Sequence, residues 1–244
     1  MIVREHFELR ETAVTIVAEE RYVPEAKRSI FESRATLERF IAADPFFRST
    51  LEPYSEDDDA PPLIKRMCMA GRLANVGPMA AVAGAVAEAA VEAMRRAGAA
   101  HAIVDNGGDI AMMLDRQQDI GIYAGGSKFS GLAFRFEPVD HITGICTSSA
   151  TVGPSISFGI ADAAIVLADN VALADACASM LGNLVRSDDD GTMARAVEAV
   201  ANVKEVAGCA VIVGDKIAMK GRLPRMVPAE GTFSRSSRLL FPLG

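Results

Sequence analysis

Apolar and polar positions along the chain fall into short alternating runs and longer helical ones. Residues 4–10 alternate, and residues 12–18 follow with Val14, Ile16 and Val17, which predicts two strands joined around Arg10-Glu11. In residues 24–43 Ile30, Leu37, Phe40 and Ile41 share one face while Arg28, Glu32, Glu38 and Arg39 lie elsewhere. This predicts an amphipathic helix opened by Pro24 and ended by Asp44-Pro45. Val76-Gly77-Pro78-Met79 predicts the start of a main helix that runs to about Ala97 and stops at Gly98. Residues 102–114, AIVDNGGDIAMML, read as strand, glycine turn, strand. Residues 119–124, 132–136 and 142–146 are further short strands, and tight turns between them favour an antiparallel meander. Residues 165–168 predict a strand, Asp169-Asn170 a turn and cap, and 171–181 and 192–206 two helices. Residues 209–213 and 217–220 predict a hairpin about Gly214-Asp215, and the tail from Gly221 is expected to wrap across the surface or a neighbouring subunit.

Four stretches carry more polarity or less bulk than their elements require. In Asn106-Gly107-Gly108-Asp109 the glycines supply positive-φ positions and leave backbone N–H and C=O groups bare. An ordinary hairpin and a ligand loop both fit. From Gly77 the main helix begins with small residues, among them Ala80, Ala81, Ala83 and Gly84. They suit either close packing or an anion, such as a phosphate, on the N–H groups near Gly77 and Met79. The run 146–155 contains Thr147, Ser148 and Ser149, either a solvated loop or a phosphate- or flavin-contacting one. On the helix 171–181 Asp175 and Ser179 stand four apart on one otherwise alanine-rich face. A buried carboxylate is costly unless paired or bound to a cation, so either Asp175 is partly exposed or Asp175 and Ser179 belong to a hard-oxygen Mg²⁺ site.

The chain has 244 residues, half of them apolar and few aromatic, enough for a core without staples. A formal charge of −7 and the lack of a basic stripe argue against nucleic acid. Cys68, Cys146, Cys177 and Cys209 form no CxxC, which fits reduced thiols in a cytosol. The first residues carry no signal region or lipobox cysteine, so a cytoplasmic protein is expected. The longest apolar stretch, 76–93, contains Glu88 and Glu92 and reads as a buried soluble helix rather than a membrane span. The acidic run Ser55-Glu56-Asp57-Asp58-Asp59 lies between prolines and reads as a solvated loop.

Taken in order, the glycine-marked helix at 77–84, Asn106-Gly107-Gly108-Asp109, Thr147-Ser148-Ser149 and Ala174-Asp175-Ala176-Cys177-Ala178-Ser179 resemble the ApbE family, the FAD:protein FMN transferases. That family carries a GGD/GGE turn, a TSG loop and an ADAxxT helix in this order. Residues 76–83 (VGPMAAVA) with the NGGD turn look like a cytoplasmic branch of ApbE-like proteins of unassigned activity. The resemblance implies an α+β fold of T-fold type, antiparallel sheets with helices packed on one side. It also implies one domain over 1–244 with two pseudo-repeated halves, about 1–125 and 126–244. It makes Asp175 and Ser179 candidate Mg²⁺ ligands. Gly77, Met79, Asn106, Gly107, Gly108, Asp109, Thr147, Ser148 and Ser149 become candidate contacts of FAD or FMN. Departures from the family pattern stand at Ala83, where the family has lysine, and after the Thr147 loop, where Gly153-Pro154-Ser155-Ile156-Ser157-Phe158-Gly159 replaces His-x-x-Asp-Pro. Flavin binding with Mg²⁺ is therefore expected more than flavin transfer. The alternatives are a sulfur- or thiol-handling protein of sulfide assimilation that uses Cys146, and a non-catalytic oligomeric binding protein. A homodimer with a small-molecule ligand, off the membrane, fits all three.

Overall fold

The computed structural model describes residues 1–9, 12–149 and 159–229. Eleven strands lie in it: β1 (Ile2–Leu9), β2 (Thr12–Glu19), β3 (Ala102–Asn106), β4 (Asp109–Leu114), β5 (Gln118–Gly121), β6 (Leu132–Phe136), β7 (Val139–Ser148), β8 (Ala163–Ala168), β9 (Val206–Val213), β10 (Lys216–Gly221) and β11 (Arg225–Pro228). The α-helices are α1 (Val23–Ala43), α2 (Phe46–Ser49), α3 (Pro62–Ala74), α4 (Val82–Arg96), α5 (Val171–Leu184) and α6 (Asp190–Ala201). Eight strands form one sheet in the order β1-β2-β3-β4-β7-β8-β9-β10, antiparallel at every pairing. The helices α1 to α4 fall between the neighbours β2 and β3, and α5 and α6 between the neighbours β8 and β9. This is the α+β architecture expected, with helices gathered on one face of the sheet.

The apolar strands explain the layers. Val104, Ala111, Met113, Cys146, Val166 and Cys209 face the helices, and their chain neighbours Ile103, Ile110, Met112, Ile145, Ile165 and Ala210 point the other way. A strand that is apolar on both faces needs cover on both. The second cover is a small sheet, β11-β6-β5, which adds Ile120, Phe134 and Phe136 to the second core. The expected meander is therefore corrected at β5 and β6. They leave the main sheet, and β4 pairs directly with β7, with Ile110 opposite Ile145.

Four further differences have local causes. The expected main helix from Gly77 begins instead with a 3-10 turn, Pro78–Ala81, and α4 starts at Val82. Gly77 is packed too tightly to open a helix to a ligand, since a Cβ there would lie 2.1 Å from the Thr50 carbonyl oxygen. Helix α3 was not foreseen; its axis and that of the following helical unit are bent by 106°. Residue Asn75, in the left-handed region at φ 52°, ends α3 in the role usually given to glycine. The helix expected over 192–206 stops at Ala201, because Val206 already belongs to β9. Helix α5 runs on to Leu184. Gly98, at φ 101°, does end α4 as expected, with the Ala99 N–H donating to the Met94 carbonyl at 3.0 Å. The turn at Arg10-Glu11, residues 150–158 and the tail from 230 lie outside the described residues. Among the described residues no single helix is long and apolar enough to cross a membrane.

Helix α5 can approach β7 because Gly144 has no side chain. A Cβ at that position would meet Val171 Cγ1 at 2.7 Å. Replacing Gly144 with Ala is expected to lower stability by about 1–3 kcal/mol through overpacking, measured by chemical denaturation; an unchanged midpoint would show that Val171 moves aside freely.

Candidate functional site

Helices α4 and α5 cross so that each start lies against the flank of the other. Gly84, in the first turn of α4, donates its N–H to Asp175 Oδ2 at 2.8 Å. A Cβ at Gly84 would lie 2.6 Å from the Val171 carbonyl oxygen and 2.8 Å from Asp175 Cβ. Glycine here is what allows the carboxylate to reach the helix end. The contact is reciprocated one turn along. Glu88 on α4 accepts the Ala172 N–H of α5 at 3.2 Å through Oε2, beside the Asn170 cap, whose Oδ1 accepts the Leu173 N–H at 2.9 Å. Arg66 on α3 holds the outer side, with Nη1 3.6 Å from Glu88 Oε2 and Nη2 2.8 Å from Glu92 Oε1.

The Asn106–Asp109 turn meets the same helix end. Asn106 Nδ2 donates to the Ala83 carbonyl at 3.1 Å. Gly107 and Gly108 take φ 71° and 105°, and the Gly108 N–H closes the turn on Asp105 Oδ1 at 2.8 Å. Among the described residues, leaving aside its two chain neighbours, no heavy atom lies within 4 Å of a Cβ built at Gly107, so its backbone is open to them on that side. Asp109 Oδ1 accepts the Thr147 N–H at 3.3 Å, and its charge bears on both Asp175 and the neighbouring Cys146. Asn106, Asp109, Thr147, Ser148, Met79 and Ser179 are half-buried, whereas Gly77, Gly108 and Ser149 are buried.

The electrostatics follow from burial. Asp175 is only 8% exposed. Burial and then the Asp109 charge push its carboxyl well above the ordinary range, against the pull of the Gly84 and Ala83 N–H groups. Glu88 is pushed up chiefly by burial and pulled back by Arg66 and by the α5 backbone. Cys146 is fully buried; its thiol donates to the Val171 carbonyl at 3.6 Å, and burial with Asp109 drives its pKa far up. That environment opposes the thiolate which sulfur chemistry needs. Cys68 and Cys177 are raised to about 12 and Cys209 to about 11, mainly by burial.

Of the residues singled out in the sequence, Asn106 and Asp175 are therefore bonded to the first turn of α4, and Asp109, bonded to the Thr147 N–H, acts on Asp175 through its charge. Ser179 lies one turn beyond Asp175. Gly77 is a packing position, and the acceptor at the helix start is the Asp175 carboxyl of the chain itself. Glu88 and Arg66 were not foreseen as part of this arrangement. Their signal was a carboxylate in an alanine-rich apolar stretch, the feature that argued against a membrane span. Among the described residues no group of three or more His, Cys, Asp or Glu side chains is arranged to hold a metal ion. The acidic share of any cation site among them is thus at most two carboxylates. Mg²⁺ accepts such a set, since it takes its remaining oxygens from hydroxyl, carbonyl, phosphate or water.

The fold as a whole is similar to that of two solved flavinyl transferases. The apo form of the flavinyl transferase ApbE of Pseudomonas stutzeri superposes with a TM-score of 0.57 over 90% of this chain and 94% of that one, at 11% identity. The flavin transferase ApbE of Vibrio cholerae gives 0.54 over 90% and 96%, at 14% identity. At these identities the likeness is one of fold. The profile of the family described as AbpE bacteria matches residues 3–216, and the chain belongs to that family. A UPF0280 protein of Methanocella arvoryzae is 50% identical over 232 residues, covering 95% of this chain and 94% of its own. One from Methanosarcina acetivorans is 51% identical over 229 residues, covering 93% and 90%.

Two outcomes follow from the site. A carboxyl with a raised folded pKa stays protonated while its unfolded counterpart ionises above 3.8. In metal-free buffer Asp175 therefore makes stability fall as pH rises above that value. In Asp175→Asn, whose amide oxygen still accepts the Gly84 N–H, melting curves across pH are expected to lose that part of the slope. An identical pH profile in both proteins would mean that Asp175 titrates alike in the folded and unfolded chain. The four thiols, all buried, are expected to resist a thiol reagent at pH 8 in the native protein and to react on unfolding. Rapid native labelling of Cys146 would revive the thiol reading.

Proposed function

We propose that this protein binds a flavin nucleotide, FAD or FMN, together with Mg²⁺ where α4, α5 and the Asn106–Asp109 turn meet. The observation that carries this reading is that the Asn106–Asp109 turn and Asp175 meet at one helix start, through Asn106 on the Ala83 carbonyl and Asp175 on the Gly84 N–H. The Asp109 charge bears on the buried Asp175 and helps keep it protonated, and a bound divalent cation would let both carboxyls ionise. Ser179, one turn beyond Asp175, supplies a hydroxyl oxygen, and the open backbone of Gly107 offers room for a phosphate or flavin edge. Thr147 is bonded to Asp109, and Met79, Ser148 and Ser149 are proposed as further flavin contacts. When bound, Mg²⁺ would screen the charge of a pyrophosphate and so favour cleavage of FAD to AMP. The chain's own part is to fix Asp175 against the Gly84 N–H and to hold Asp109 on the Thr147 N–H. With Ala83 in place of the family lysine and no His-x-x-Asp-Pro, binding is the function proposed, and transfer to a protein hydroxyl is its possible extension only if AMP is released. The fold shared with the flavinyl transferases supports the flavin. The free state of all four cysteines supports a reducing cytosol. Exposed Phe46, Leu51, Met69 and Leu73, on α2, the loop after it and α3, support a homodimer.

Titration of the purified protein with FAD and FMN, with and without Mg²⁺, tests the reading through flavin fluorescence and chromatography of AMP. We expect flavin binding that tightens with Mg²⁺. In Asp175→Asn that Mg²⁺ effect should shrink about tenfold or more, the scale of a lost charge-assisted contact. No binding of either flavin, with or without the metal, would sink the proposal.

A further inference from the structure

The same helix crossing contains a carboxylate that the proposed site does not touch. Glu88 sits on α4 and reaches the start of α5, as Asp175 sits on α5 and reaches the start of α4. The two bonds run in opposite directions between the same pair of helices. A shift of α5 along its axis that lengthened the Glu88 contact would also displace Asp175 from Gly84. Arg66 keeps Glu88 from turning away, because it is tied at once to Glu88 and to Glu92, one turn further along α4. Gly84 makes the arrangement intolerant of slippage, since the Val171 carbonyl already presses on the space a Cβ would fill.

We propose that Glu88 is a positioning residue, which by holding the α5 N-terminus fixes where the Asp175 carboxylate stands for a bound divalent cation. The cation part of this rests on the reading above; the positioning part rests on the two hydrogen bonds alone. Glu88 contacts neither cation nor flavin in this scheme. Its effect passes through α5.

Three variants separate positioning from plain stability. Glu88→Ala removes the contact. Glu88→Gln keeps an oxygen that accepts the Ala172 N–H. Ile212→Ala, in the second core away from α4 and α5, lowers stability without touching the crossing. Amide exchange at Gly84 and Mn²⁺ affinity by calorimetry, with the metal alone, are read in each. In Glu88→Ala, Gly84 exchange should quicken and Mn²⁺ affinity weaken, each about tenfold, the scale of a hydrogen bond to a charged group. Glu88→Gln should recover most of both, and Ile212→Ala should move neither. The proposal is overturned if Glu88→Ala quickens exchange at Ala172 but not at Gly84, or if it melts lower yet binds Mn²⁺ like the parent. A parent protein that binds no Mn²⁺ would remove the cation reading of Asp175, and exchange at Gly84 would still decide whether Glu88 sets its position.

Discussion

Two helix starts that need acceptors for their N–H groups, and two buried acids that need donors for their oxygens, satisfy each other across one crossing. A buried helix end leaves backbone donors that need acceptors. A buried carboxylate needs donors of its own. Gly84 with Asp175, and Ala172 with Glu88, meet both needs at once. The dipoles of both helices add to the fit, because a negative charge is favoured at an N-terminus. Much of the rest is arranged around this contact. Gly144 lets Val171 press on β7, Asn106 ties the glycine turn to Ala83, and Arg66 brings α3 to the outer side.

The sheet imposes the second constraint. Its central strands carry apolar side chains on both faces, so the helices cannot be its only cover. The excursion through β5 and β6 meets that demand and leaves β4 free to pair with β7. This pairing brings Asp109 beside the Thr147 N–H and sets Cys146 next to it on the helix side. The site therefore depends on a register chosen for burial, not on a loop free to take its own shape.

Much of this could be read from the residues, and what could not has definite causes. Strands with clear alternation, glycine turns and the caps at Asn170 and Gly98 are local features, and local chemistry declares them. The continuous apolar run Ile110–Leu114 was legible as a strand, yet its two-faced burial also called for a second layer that was not drawn from it. The start of α3 is hidden beside a proline-rich acidic loop, and Gly77 and Pro78 mimic a helix start ahead of α4. Asp175 and Asp109 were found by type and order. Their meeting was not, because it depends on the angle at which two helices cross. Glu88 was seen only as a charge that spoiled a membrane span, since nothing local says that its partner lies on a helix more than eighty residues away.

Asp175 has two independent reasons to be an acid. Folding asks for an acceptor opposite the first turn of α4, whatever chemistry takes place nearby. A descendant of this chain that had given up every ligand would still gain from keeping the carboxylate there. An aspartate in that helix is thus a mark of architecture first, and chemistry must be read from Asp109 and the glycine turn, which the helix crossing does not require.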